Sequence, residues 1–162
     1  MKTGGLSLDQ APAEDIPLRF FISAPIFGIL AGLMVLLKGN LLFSNTWMPE
    51  TVALTHLLTL GWMGLVMFGA LYQMIPVLVG GFVPFPRLSR MLHTILIPAI
   101  LLMVSGFFWN HSWMLKASLI LLFPTILLFL LQLVQPLVQA DESHPVVLAM
   151  RFAAICLAFT LL

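Results

Sequence analysis

Five long apolar runs, separated by short polar segments, dominate the pattern of this chain. A membrane-spanning helix needs about 20 mostly apolar residues, and each run approaches or exceeds that length. Leucine, isoleucine and methionine are frequent and period-two alternation is absent, which favours helices over barrel strands. The runs cover residues 18–37, 52–80, 91–109, 113–138 and 144–162. The pattern therefore predicts an all-α, polytopic integral membrane helical bundle of about five transmembrane helices.

The segments between the runs contain residues that end helices. Residues 80–86 read G-G-F-V-P-F-P, and glycine and proline both interrupt helices. Trp109 and Trp113 flank a tight turn, and because tryptophan prefers the headgroup level, both adjoining helix ends are expected at one interface. Residues 39–50 and 139–144 are predicted to be loops.

The chain divides into a short tail and one helical domain. Residues 1–16 are polar, lack helical periodicity and make a poor signal peptide, so they are predicted to be a flexible tail. Residues 17–162 form the predicted transmembrane helical domain. The last run stops without a polar flank, which leaves open whether the chain is complete or part of a longer protein.

Composition agrees with a membrane protein. Hydrophobic residues make up 61% of the chain and charged residues 8%, with a mean hydropathy of +1.11. Soluble domains carry about 25% charged residues. A net charge of +1 offers no basic surface, so nucleic acid is not an expected partner. The single Cys156 supports no disulfide framework.

The distribution of cations predicts an orientation. With the N-terminus in the cytoplasm, the inner side holds Lys2, Arg19, Arg87 and Arg90. The outer side then holds only Lys38 and Lys116. The positive-inside rule therefore predicts a cytoplasmic N-terminus. The expected location is a bacterial inner membrane.

His56 is the one basic side chain in the long second run, about one turn inside it. An ionisable group at membrane depth is costly, so it is expected to have a partner and a function. Imidazole is a common ligand of metals and of heme iron. A structural histidine, bonded to a helix carbonyl or to Thr59, or one solvated at the interface, is the alternative.

A regular helix would place several methionines on the same face as this histidine. At 3.6 residues per turn that face holds His56, Leu60, Met63, Met67 and Met74, with Gly64 near its flank. This face would offer a nitrogen ligand, flexible methionine side chains below it, and space beside Gly64. Such a surface would suit a flat apolar cofactor. His56, Met63 and Gly64 are therefore the predicted cofactor-binding residues, with His56 as metal ligand. The alternative is that the methionines only fill packing gaps.

The second run also resembles a known helix. The stretch with His56, Trp62-Met63-Gly64 and Phe68 through Pro76 is similar to the second helix of subunit I in the heme-copper oxidase superfamily. The nitric oxide reductases and the C-type cytochrome c oxidases are the nearest branches. The resemblance implies that His56 ligates a low-spin heme b, that Gly69-Ala70 and Tyr72 match a small-aromatic stretch, and that Pro76 ends the helix.

The departures from that family limit the expected activity. The later helices that carry its other metal-binding histidines have no counterpart, and the chain has no His-His or His-x-x-x-His pair. A binuclear site is therefore not expected, and no catalytic residue is assigned. His93 and His144 are predicted to be solvated at the opposite side of the membrane. His111 is the only candidate in this chain for a second axial ligand, and Arg151 and Lys116 are predicted to snorkel.

The sequence thus predicts a membrane protein that binds heme b and takes part in respiratory electron transfer. Its expected partners are the lipid bilayer, heme, and either a second copy or other respiratory subunits. The alternative is a small membrane scaffold or transporter-like protein without a cofactor.

Overall fold

The computed structural model describes residues 13–79, 83–140 and 145–160, and within these ranges the chain is helical without any strand. The helices are α1 (Asp15–Lys38), α2 (Leu41–Ser44), α3 (Pro49–His56), a π-helix (Leu57–Gly64), α4 (Leu65–Val79), α5 (Pro86–Phe108), α6 (Ser112–Gln139) and α7 (Pro145–Phe159). Helix α3, the π-helix and α4 run on without a break and are called the second span. The predicted all-α bundle is confirmed.

Four of the helices are long and apolar enough to cross a membrane. They are Asp15–Lys38, Pro49–Leu78, Pro86–Phe108 and Ser112–Gln139. Helix α7 is apolar but has only 15 described residues, fewer than the roughly 17 that a span requires. The described part of the chain therefore has the helices of an integral membrane protein, four long ones and a shorter one where about five spans were predicted.

Several boundaries differ from the prediction. Helix α1 begins at Asp15, inside the predicted tail, whereas residues 1–12 lie outside the described part. The predicted loop at 39–50 contains helix α2 and the start of α3. Pro76 does not end its helix, because α4 continues to Val79. Membrane helices tolerate an internal proline where neighbouring groups satisfy the freed backbone.

Consecutive long helices run in opposite directions. Helix α1 packs along the second span, α5 packs against α3 and α6, and α7 packs against α6. At one end of the bundle, called the Lys38 end, the Lys38 ammonium lies 3.5 Å from the Glu50 carboxylate. At the other end, called the Arg90 end, the Arg90 guanidinium lies 2.8 Å from the Asp15 carboxylate.

Glycines allow α1 to approach the second span closely. A Cβ atom added to Gly61 would lie 2.5 Å from the ring of Phe27, and one added to Gly28 would touch the ring of Trp62. Each helix thus places an aromatic ring over a glycine of the other. Small residues serve this purpose in membrane bundles, where close packing holds helices together.

A buried polar cluster joins three elements at the Arg90 end. The Tyr72 hydroxyl donates to Gln132 Oε1 at 2.7 Å, and the Gln132 amide donates to the Pro84 carbonyl at 2.8 Å and to Ser89 Oγ at 3.2 Å. Tyr72 and Gln132 are both buried. Because its members satisfy one another, the cluster can tie α4, α5 and α6 together without leaving an unpaired group.

Candidate functional site around His56

The imidazole of His56 is held by its own helix. Its Nδ1 lies 2.8 Å from the Val52 carbonyl oxygen, one turn earlier in α3. A carbonyl can only accept a hydrogen bond, so Nδ1 carries the proton and donates it. The neutral ring then keeps a lone pair on Nε2, which is the arrangement found in histidines that ligate metals through one nitrogen and donate from the other.

A second contact holds the plane of the ring. His56 stacks on Phe107, with 4.9 Å between ring centroids and 23° between ring planes. The histidine is half-buried and lies about 10 Å along the helix from Pro49, where the second span begins. His56 therefore belongs to the contact between the second span and α5, rather than to the membrane surface.

The chain changes its helix type directly after His56. The turns from Leu57 to Gly64 are π-helical, which is wider than α-helical and often occurs at functional sites. A π-helix also shifts the angular position of every later residue, so a face read at 3.6 residues per turn does not continue through it. Accordingly, Met63 is 59% exposed and Met67 60%, whereas His56 is half-buried.

Threonine hydroxyls bond to the backbone beside the π-helix. Thr55 Oγ1 donates to the Thr51 carbonyl at 2.9 Å and Thr59 Oγ1 to the Thr55 carbonyl at 2.7 Å. Such bonds to the carbonyl four residues earlier compete with the helical pattern and often bend helices. Of the two partners expected for a structural histidine, a helix carbonyl or Thr59, the structure shows a helix carbonyl, that of Val52 in the histidine's own helix.

An apolar cleft of about 310 Å³ begins roughly one turn from His56. Leu60 and Gly64 line it on the second span, and the absence of a side chain at Gly64 keeps that wall open. The full lining is Thr59, Leu60, Gly64, Met67, Phe68, Leu71, Leu96, Ile100, Leu122, Ile126, Phe129, Leu157 and Thr160. Of the predicted site residues, Gly64 lines this cleft, whereas His56 and Met63 are not part of its wall.

His93 is not the solvated residue that the sequence predicted. Its Nε2 lies 2.8 Å from Ser23 Oγ, and its ring meets Phe20 edge to face at a centroid distance of 4.8 Å. Ser23 Oγ lies 2.6 Å from the Arg19 carbonyl and donates its proton there, so it accepts the proton of His93 Nε2. The ring is half-buried between α1 and α5 and helps to join them.

The remaining histidines stand apart from His56. His111 is exposed in the turn before α6, and the structure shows no hydrogen bond between it and His56. It does lie at the same end of the bundle, as the sequence predicted. His144 falls outside the described residues.

Arg151 donates hydrogen bonds to backbone carbonyls of α6. Its Nε donates to the Leu137 carbonyl at 2.9 Å and its Nη2 to the Ala140 carbonyl at 3.2 Å. These carbonyls belong to the C-terminal end of α6, where helical carbonyls lack partners and a cation is favoured by the helix dipole. Sequence reasoning missed this role because no signal marks which helix end an arginine will reach.

Within the described ranges, no group of three or more histidine, cysteine, aspartate or glutamate side chains could hold a metal ion. No family model, curated protein or solved structure matches this chain.

Proposed function

We propose that this protein binds heme b in the membrane, that His56 Nε2 is an axial ligand of the iron, and that the protein takes part in respiratory electron transfer. The observation that carries the proposal is the hydrogen bond from His56 Nδ1 to the Val52 carbonyl. It fixes the tautomer that a ligating imidazole needs and raises the basicity of the free nitrogen.

The cleft near His56 supports a flat, apolar ligand. Its volume of about 310 Å³ falls at the lower end of the roughly 300–1,000 Å³ usual for small-molecule sites. Its walls are almost entirely apolar, and Gly64 leaves room beside the helix. A porphyrin face would therefore contact hydrocarbon.

The heme and the protein residues have different roles in this proposal. Heme iron supplies one-electron redox chemistry when bound, and the protein sets its ligand, its orientation and its surroundings. The Val52 carbonyl holds the proton on Nδ1, and Phe107 holds the plane of the imidazole. The apolar walls exclude water, which lowers the local dielectric and so shifts the reduction potential of a bound heme.

A second ligand from the protein would complete the coordination of a heme bound at His56. His111 lies at the same end of the bundle but is exposed in a turn. A second copy of the chain or another respiratory subunit could supply a ligand instead. With His56 alone, the bound iron would be high-spin, so the spin state reports whether a second ligand is present.

Purification of the full chain from heme-replete cells tests the proposal. A Soret band that shifts on reduction is expected, and the variant His56→Ala should lose it and regain it on addition of imidazole. His93→Ala is the control and should keep the band. A wild-type protein that stays colourless after hemin is added would favour the cofactor-free scaffold or transporter-like alternative.

The proposed orientation places the N-terminus in the cytoplasm of a bacterial cell, and therefore His56 toward the outer side. The excess of cations on the inner side supports it. A reporter that works only in the cytoplasm should be active when it is fused after Arg87, and a reporter that works only in the periplasm should be inactive there. Activity of a periplasmic reporter at that position would reverse the orientation.

A further inference from the structure

A second groove, separate from the cleft near His56, lies between α1 and α5 at the Lys38 end. Its volume is about 400 Å³. Leu33 and Leu37 of α1, Leu57 of the π-helix and Val104 of α5 contribute apolar walls, and Lys38 and Trp109 lie at the end where both helices stop. The groove therefore combines an apolar body with a cationic end.

The cation at this end is held in place. Lys38 Nζ lies 5.1 Å from the centroid of the Phe108 ring and 3.5 Å from Glu50 Oε1. The Lys38 side chain is still 34% exposed. An ammonium has three protons to donate, so one carboxylate contact leaves it able to bind another anionic oxygen.

The position of Trp109 indicates the depth of the groove. Trp109 is 59% exposed, and tryptophan side chains prefer the headgroup level of a bilayer. Lys38 should therefore lie at the level of lipid phosphates. The groove extends from there back to Leu30, about 12 Å along α1, and so points into the acyl region.

We propose that this groove binds an anionic phospholipid of the bilayer, with its phosphate on the Lys38 ammonium and one acyl chain along the apolar walls. The charge of Lys38 complements the phosphate, and the groove complements the chain. A zwitterionic lipid carries its own cation next to the phosphate and gains less from Lys38. This proposal does not depend on heme binding.

Native mass spectrometry of the full chain tests the preference directly. The detergent-solubilised protein is mixed with equal amounts of phosphatidylglycerol and phosphatidylcholine, and the retained lipids are counted. Wild type should retain phosphatidylglycerol preferentially. Lys38→Gln should reduce that preference about fivefold, the usual contribution of one basic side chain near a membrane surface.

Three further variants separate the site from general charge and from folding. Lys116→Gln removes an exposed cation near the same end that does not line the groove, and it should leave the preference unchanged. Glu50→Gln breaks the same ion pair as Lys38→Gln but keeps the ammonium, so the preference should persist or rise. Val104→Phe fills the groove and should lower the retention of both lipids.

Three of these comparisons can overturn the proposal. Equal retention of the two lipids by wild type would remove the anionic preference. Equal losses in Lys38→Gln and Lys116→Gln would make the effect one of total charge. A loss in Glu50→Gln as large as that in Lys38→Gln would show that the ion pair maintains the structure and that Lys38 is not a lipid ligand.

Discussion

The imidazole of His56 lies nearly parallel to the phenyl ring of Phe107, with 4.9 Å between their centroids. This contact connects the second span to α5 at the point where the second span becomes π-helical. Together with the bond to Val52, it leaves the ring little freedom to rotate. The orientation of the proposed heme ligand is thus set by two helices and not by one.

Replacing Phe107 by leucine should weaken hemin binding while keeping the bundle apolar. Aromatic stacking contributes about 0.5–1.5 kcal/mol beyond buried area, so the dissociation constant for hemin should rise roughly two- to twelvefold. Titration of the Soret band measures it. Phe108→Leu is the matched control, because Phe108 faces Lys38 and not His56. Equal effects of the two variants would argue against a role for the stack.

Replacing Tyr72 by phenylalanine should destabilise the bundle without affecting His56. The change leaves buried Gln132 Oε1 without its donor, which costs about 1–3 kcal/mol. Thermal unfolding in detergent measures the loss. The double variant with Gln132→Leu should lose less than the sum of the single changes, because both partners are then removed. Strict additivity would contradict the hydrogen bond.

A methyl group at Gly61 should be harmful and one at Gly32 harmless. The Cβ of alanine at position 61 would lie 2.5 Å from the Phe27 ring, whereas at Gly32 nothing lies within 4 Å. Overpacking of this kind costs about 1–3 kcal/mol. Thermal unfolding should therefore separate Gly61→Ala from Gly32→Ala, and Phe27→Leu should partly restore the former. Similar stabilities for the two alanine variants would refute the close packing.

Replacing Arg151 by methionine should have opposite effects on insertion and on stability. A charge near the middle of a membrane helix costs about 2.5–3.5 kcal/mol on insertion scales, so methionine should let residues 145–159 insert more readily by themselves. In the folded bundle, however, the variant loses the bonds to the Leu137 and Ala140 carbonyls. Glycosylation mapping measures the first effect and thermal unfolding the second. A variant that inserts more readily and also unfolds at a higher temperature would contradict the observed contacts.

The sequence by itself determined the fold class and the four long helices that could cross a membrane. It also counted a fifth span, where the described helix α7 has 15 residues. Hydrophobic length is a local property, and glycine, proline and tryptophan mark the ends of such helices. The predicted run at 113–138 therefore lies within α6, and the run at 91–109 matches α5 except for its last residue, Trp109. The sequence also singled out His56, because a basic group inside an apolar run is visible without any structure.

Only the tertiary structure decided how His56 is oriented and what surrounds it. The π-helix cannot be read from residue types, since its hydrogen-bond pattern depends on how the second span packs against α1 and α5. Within this π-helix, Met63 is exposed and Gly64 lines the cleft. Contacts between residues far apart in the chain, such as Tyr72 with Gln132 and His93 with Ser23, likewise depend on which helices pack against each other. The local sequence does not show which helices these will be.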